Sequence, residues 1–197
     1  TLAHDDAPHT GIMDYSADYD SIPAVAIGTT NADQLSAWLK KDPQLQVYLK
    51  TNCTEQKEGL SYNVIAEKYG SEHPEQIICF GGHLDAWDNG EGAHDDGVGV
   101  MHSIEALRLL LHSGVQARNT LRVVIFMDEE IDQRGAAAYA ASVKEKGEKI
   151  LAAIESDRGG FTPTGFSFDA GPSVEKRLNE WKPMLLQYGL YDIVKGY

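Results

Sequence analysis

Three short stretches of this chain crowd acids and histidine among glycines. The first runs His83-Leu84-Asp85-Ala86-Trp87-Asp88-Asn89-Gly90-Glu91-Gly92-Ala93-His94-Asp95-Asp96-Gly97, the second is Asp128-Glu129-Glu130, and the third is Glu155-Ser156-Asp157. Between Gly81 and Gly97 stand five carboxylates and no Lys or Arg. A glycine-rich loop of this kind can cradle phosphate, but this one lacks Gly-Lys-Ser/Thr and the G-x-G-x-x-G spacing, and its acids oppose an anion. Carboxylates at that density raise one another's pKa values unless a cation sits among them, so a metal ion is the economical reading. His83 and Asp85, at i and i+2, project to one side of an extended segment, which lets Asp85 accept the second ring N–H of a ligating His83. Mixed His and carboxylate donors suit zinc, less specifically Mn or Co, better than Ca or Mg. Acids arriving from three segments also permit two ions sharing a bridging carboxylate.

Each of these stretches follows an apolar run, and the runs alternate with helical patterns. Residues 62–67 and 76–81 read as strands about a turn at 70–74. Residues 96–112 read as a helix, with Val100, Met101, Ile104, Leu107, Leu110 and Leu111 on one broad face, ending at Ser113-Gly114. Residues 120–127 form a continuous apolar strand of the type buried on both faces, 135–144 an Ala-rich helix, and 149–154 a further strand. Strand and helix in alternation predict an α/β fold, a mixed, mostly parallel sheet with helices on both faces, where ligands gather beyond the carboxyl ends of the strands. Val174, Leu178, Trp181 and Leu185 describe one more amphipathic helix, kinked at Pro183. Upstream, residues 1–20 read as loop, 22–27 and 44–51 as strands, and a helix capped by Thr30 carries Leu35, Trp38 and Leu39. The polar stretch 52–59 is the best internal boundary, giving segments 1–52 and 53–197.

The 197 residues carry 30 Asp+Glu against 17 Lys+Arg, a net charge of −13, which argues against nucleic acid as a partner. No apolar run approaches the roughly 18 residues of a membrane span. Cys53 and Cys79 make no disulfide framework, and Cys79, within Ile77-Ile78-Cys79-Phe80, reads as a buried inert thiol. Asn52-Cys53-Thr54 matches the N-glycosylation pattern, which carries weight only in a secretory setting. Each acid has a structural alternative: Asp95 and Asp96 can cap the following helix, Glu129 and Glu130 can sit in a solvated turn, and Asp157 can pair with Arg158. Strand alternation would place Asp128 and Glu130 on one face, leaving open which acid acts. The remaining histidines default to surface or packing roles, and Trp87 to packing or the wall of a cleft.

Taken in order, His83-Leu84-Asp85-Ala86-Trp87-Asp88, Gly90 to Gly97, Glu129-Glu130 and Glu155-Ser156-Asp157 resemble metallopeptidase family 28, in its plasma glutamate carboxypeptidase-like subgroup with bacterial aminopeptidases. The resemblance runs from about residue 23 to about 168. It implies the zinc-dependent exopeptidase fold, here without its last part, and makes residues 1–52 the tail of a protease-associated-type domain and 53–197 the peptidase core. It implies two Zn2+ ions: His83 and Asp157 on the first, Glu130 on the second, Asp95 bridging them. Glu129 is then the general base that activates a metal-bridged hydroxide toward the N-terminal peptide bond of a short peptide, with Asp85 behind His83. The Asp95-Asp96 peptide is cis in this family. The family's second zinc takes a downstream His, and this chain has none after His112, so a central piece of a longer enzyme is expected. The resemblance further implies a homodimer and an extracellular or periplasmic location. Beside the aminopeptidase or dipeptidase reading stand a glutaminyl-cyclase-like enzyme with one zinc and a noncatalytic binding fragment of the same fold.

Overall fold

The computed structural model describes residues 11, 16–18, 20, 22–52, 54 and 56–196, so His4, His9, Cys53 and most of the expected loop at 1–20 lie outside the described residues. The chain divides into two compact units, one reaching Gly159 and one from Gly160 onward.

The first unit is built on a four-stranded sheet. Strand β1 (Val64–Lys68) runs antiparallel to β3 (Asn119–Phe126), β3 parallel to β2 (His73–His83), and β2 parallel to β4 (Lys149–Glu155), in the order β1-β3-β2-β4. Helix α2 (Gly97–His112) connects β2 to β3, and α3 (Arg134–Lys146) connects β3 to β4. Alternation along β3 divides its side chains between two layers. Val124 packs with Ile77, Cys79 and Tyr139 of α3, whereas Val123 and Ile125 pack with Leu107 of α2. The helices therefore cover opposite faces, as the sequence predicts. Each fully buried aliphatic side chain contributes on the order of 2 kcal/mol, and Val124 is 0% exposed.

The strand order has a consequence for the site. The chain steps from β2 to β3 in one direction and then returns across β2 to lay down β4. Such a reversal opens a crevice beyond the carboxyl ends of the strands that flank it. His83 closes β2 and Glu155 closes β4, so both chemistry-bearing ends face that crevice.

Upstream of the sheet the chain departs from its sequence pattern. Helix α1 (Thr29–Lys41) is present, but its cap is Gly28 rather than Thr30. The strands expected at 22–27 and 44–51 are absent, apart from a single bridge at Ala26. Alternating apolar residues make a strand only where a neighbour satisfies the backbone and one face is covered; Val25, Val47 and Leu49 remain exposed.

The second unit contains two strands that sequence periodicity missed, β5 (Gly165–Phe168) and β6 (Asp192–Lys195), paired in parallel. Helix α4 (Pro172–Leu185) and a short 3-10 turn (Leu186–Tyr188) join them, with Pro172 in the first turn of α4 and Pro183 in its last. No helix among the described residues is long and apolar enough to cross a membrane.

Candidate metal centre

The backbone at the end of β2 is locked before any side chain acts. The His83 N–H donates to Asp96 Oδ2 at 3.0 Å, and the Gly99 N–H donates to Asp96 Oδ1 at 3.0 Å. One buried carboxylate thus ties the strand end to the first turn of α2, which it caps. Gly99 is required beside it, because a Cβ there would collide with the Ser156 carbonyl and the Asp96 carboxylate. The Asp95-Asp96 peptide is cis. The two neighbouring acids divide the work: Asp96 caps, while Asp95 reaches His83.

The His83 side chain is fully buried. Its Nδ1 lies 2.9 Å from the backbone oxygen of Asp85, so Nδ1 donates to that carbonyl and Nε2 is left to face the acids. Nε2 faces Asp95 Oδ1 at 3.1 Å, Asp157 Oδ1 at 3.3 Å and Glu129 Oε2 at 3.8 Å. With Nδ1 committed to the carbonyl, a proton or a cation at Nε2 is what makes these three contacts favourable. That donor set fits a divalent cation, with Nδ1 anchored as the second nitrogen of a ligating His ordinarily is.

The ligand atoms of His83, Asp95 and Glu130 lie within 4.8 Å of one another, and so do those of His83, Asp96 and Asp157. Both Asp96 oxygens already accept backbone N–H bonds, so Asp95, half-exposed and at hydrogen-bond distance from Nε2, is the freer ligand. The electrostatics favour a cation among these groups. Burial foremost, and then mutual repulsion, pushes Asp157, Glu129, Glu130 and Glu155 above the ordinary carboxylate range. Burial opposes a charge on His83, yet the Asp85 carbonyl and the carboxylates of Asp157, Asp96 and Glu129 outweigh it and hold the imidazole above its usual pKa.

The structure brings Glu129, Asp85, His83, Asp95, Glu130 and Asp157 to one place, and it revises one contact. The carboxylate of Asp85 is 3.7 Å from His83 Nδ1, beyond a good hydrogen bond, so the carbonyl rather than the side chain holds the ring. The carboxylate turns the other way and accepts the N–H groups of Glu129 at 3.1 Å and Glu130 at 3.2 Å. The register ambiguity also resolves. Asp128 takes a left-handed φ of 68°, ending the strand alternation, and its carboxylate pairs with Arg134 Nε at 2.6 Å. Residues that sequence reasoning missed lie beneath this loop: Asn63 accepts from the Met127 N–H at 3.0 Å and donates to the Gly135 carbonyl at 2.8 Å. The one signal for the Asp128–Arg134 pair is opposite charge at the two ends of an acid loop.

Beside the centre lies an open cleft of about 1050 Å³, bordered by Asp85, Trp87, Glu130, Ile131 and Arg134, with Tyr62 also in its wall. Trp87 thus serves as a wall. His102, exposed on α2, has its Nδ1 3.1 Å from Ser156 Oγ.

The signature of peptidase family M28 matches residues 63–187. Carboxypeptidase Q of Xenopus laevis is 36% identical over 193 residues, 96% of this chain and 41% of that protein. Carboxypeptidase Q of Homo sapiens is 35% identical over 188 residues, 95% of this chain and 40% of that protein. A crystal structure of a peptidase M28 precursor from Shewanella amazonensis superposes with a TM-score of 0.84 at 30% identity, covering 99% of this chain and 44% of that one. The chain spans about two fifths of the length of these relatives.

Proposed function

The chain belongs to peptidase family M28, and from that membership and the geometry at His83 we propose that it carries the active site of a co-catalytic zinc exopeptidase, an aminopeptidase or dipeptidase of short peptides. The observation that supports this reading is the Nε2 of His83 facing the carboxylates of Asp95, Asp157 and Glu129. His83, Asp95 and Asp157 would hold one zinc, and Glu130 with Asp95 a second. When bound, zinc polarises a carbonyl and lowers the pKa of water. Glu129, 29% exposed on its side chain and beside the same Nε2, takes the proton from the attacking water and returns it to the leaving amine. Burial, the foremost cause, raises its pKa above the ordinary glutamate value. Asp85 fixes Glu129 and Glu130 through their backbone N–H groups.

The relatives named carboxypeptidase Q leave the cleaved end open, and a dipeptide, whose single bond joins both ends, suits either name. Homodimerisation and an extracellular or periplasmic location belong to the same proposal, as does the division at residue 52. One observation favours a single-ion centre: both groups of ligand atoms draw on the same imidazole, His83. Elemental analysis after dialysis, with dipeptide hydrolysis by the wild type and Glu129→Ala, tests the readings. About two zincs and turnover lost in the variant support the peptidase; one zinc without turnover supports the single-ion alternative; no zinc overturns both.

A further inference from the structure

The segment between β3 and α3 carries both Glu129 and Glu130, and it is closed at three levels. At its base, Met127 and Gly135 are bonded directly, with the Gly135 N–H donating to the Met127 carbonyl at 3.1 Å. Asn63, half-buried just ahead of β1, spans the same two residues with both halves of its amide. Any side chain at Gly135 would strike the Met127 carbonyl and the Asn63 amide oxygen, so the base has no slack. Across the middle, Arg134 grips Asp128 through Nε at 2.6 Å and Nη2 at 3.3 Å, while Nη1 reaches Glu58 at 2.9 Å. The Gln133 N–H also returns to the Asp128 carbonyl at 2.6 Å. At the tip, Asp85 takes the two N–H groups of Glu129 and Glu130.

Asn63, Asp128 and Arg134 touch none of the atoms around His83 Nε2. What they share is the loop between them, bracketed by left-handed residues at Asp128 (φ 68°) and Gln133 (φ 55°). An exposed loop so bent would ordinarily relax, because left-handed backbone disfavours residues with side chains. We propose that Asn63 and the Asp128–Arg134 pair are positioning residues, a clasp that sets where the Glu129 and Glu130 carboxylates stand relative to His83. This rests on the assignment of Glu129 and Glu130 made above. The clasp also ties the acid loop to the segment preceding β1, through Asn63 and Glu58, so that a stretch with no chemistry of its own governs the centre.

The test is cobalt(II) binding to the metal-stripped full chain, followed by visible absorption with a competing chelator. Asn63→Asp keeps the acceptor for Met127 but sets an oxygen against the Gly135 carbonyl; Arg134→Gln removes the charge of the clamp. Each is expected to weaken cobalt binding about tenfold and to alter its absorption band, as loss of a ligand-orienting contact does. Arg134→Lys, a point charge without the fork, recovers part of the loss. In a dipeptide assay the same variants lower kcat about tenfold with KM nearly unchanged. Should Asn63→Asp fail to fold, the two Arg134 variants carry the test. Cobalt affinity and spectrum unchanged in folded variants would overturn the clasp. So would an equal weakening in Glu148→Gln, which breaks a buried ion pair away from this loop. A wild type that binds cobalt yet hydrolyses no dipeptide overturns the peptidase reading alone, and the clasp is then judged on cobalt affinity.

Discussion

The same sheet buries charge in two places and treats it in opposite ways. In mid-strand, Arg122, 7% exposed, is matched on every side: Glu67 opposite it on β1 at 2.7 Å, Glu148 through two bonds at 2.7 and 2.9 Å, and the Tyr139 hydroxyl at 3.2 Å. At the carboxyl edge, His83, 1% exposed, meets Asp95, Asp157 and Glu129 with no Lys or Arg among them. The first arrangement holds Arg122 firmly protonated and pulls Glu148 below the ordinary carboxylate range. The second pushes its acids up. Buried charge in mid-strand is neutralised by the chain itself, whereas the acids at the carboxyl edge have no Lys or Arg to balance them.

The sharpest way to separate the two is to remove one group from each. Glu129→Gln should lower dipeptide kcat by on the order of 10²- to 10⁴-fold while metal content and the urea midpoint stay as in the wild type. A variant that loses turnover only because it loses metal would make Glu129 a ligand rather than a base. Arg122→Met should do the reverse. It takes from Glu67 and Glu148 the guanidinium they share and should cost about 3 kcal/mol in urea denaturation, the low end for a broken buried pair, because both glutamates keep about a fifth of their exposure. Adding Glu67→Gln and Glu148→Gln to it should recover most of that loss. If the triple variant is as unstable as the single one, packing against Tyr139 rather than charge is what Arg122 supplies.

Next in size is the effect of the ion itself. A group that binds the native state alone stabilises it, by about 2.7 kcal/mol when free ligand is a hundredfold above Kd. Zinc added to the chelated chain should therefore raise its thermal midpoint, and in His83→Ala it should not. A rise that survives His83→Ala would move the binding site elsewhere.

What the sequence disclosed and what it hid follow one physical division. Helix α2, strand β3, helix α3 and strand β4 were legible within about two residues, because each buries a periodic apolar face and the period is local. The centre was legible for a similar reason: acids without cations are visible in composition, and three strand ends of one sheet bring them together. The short parallel pair β5 and β6 was not, because neither strand has a pattern long enough to read alone. Pairing that depends on distant residues was equally invisible. Nothing near Asn63 announces that its amide joins Met127 to Gly135, 64 and 72 residues away. Strand alternation at 128–130 left the acting acid open because it assumes extended backbone, and Asp128 turns left-handed there.

Acidity offers the smallest effect and the most direct contrast, since the two regions should respond with opposite sign. Glu148 has its pKa held below 4.5 by the Arg122 guanidinium, against a weaker upward push from burial. The folded state therefore binds fewer protons at Glu148 than the unfolded state does. Its contribution to stability is present above about pH 4.5 and is lost as the pH falls through the depressed folded value. In the chelated chain, Asp157, Glu129 and Glu155 stand above ordinary values of 3.8, 4.5 and 4.5, raised first by burial. There the folded state binds more protons, so acidification into the window just above those ordinary values should stabilise the metal-free protein, and alkalinisation through the raised values should weaken it. Urea midpoints of the chelated chain, measured downward from pH 7, should first rise as the centre takes up protons and then fall as Glu148 is protonated. In Glu148→Gln the late fall should shrink while the early rise remains. In Asp157→Asn the early rise should shrink and the late fall remain. A single monotonic decline in all three proteins would mean that the carboxylates at the strand ends repel one another no more than surface acids do, and the case for a cation among them would lose its electrostatic support.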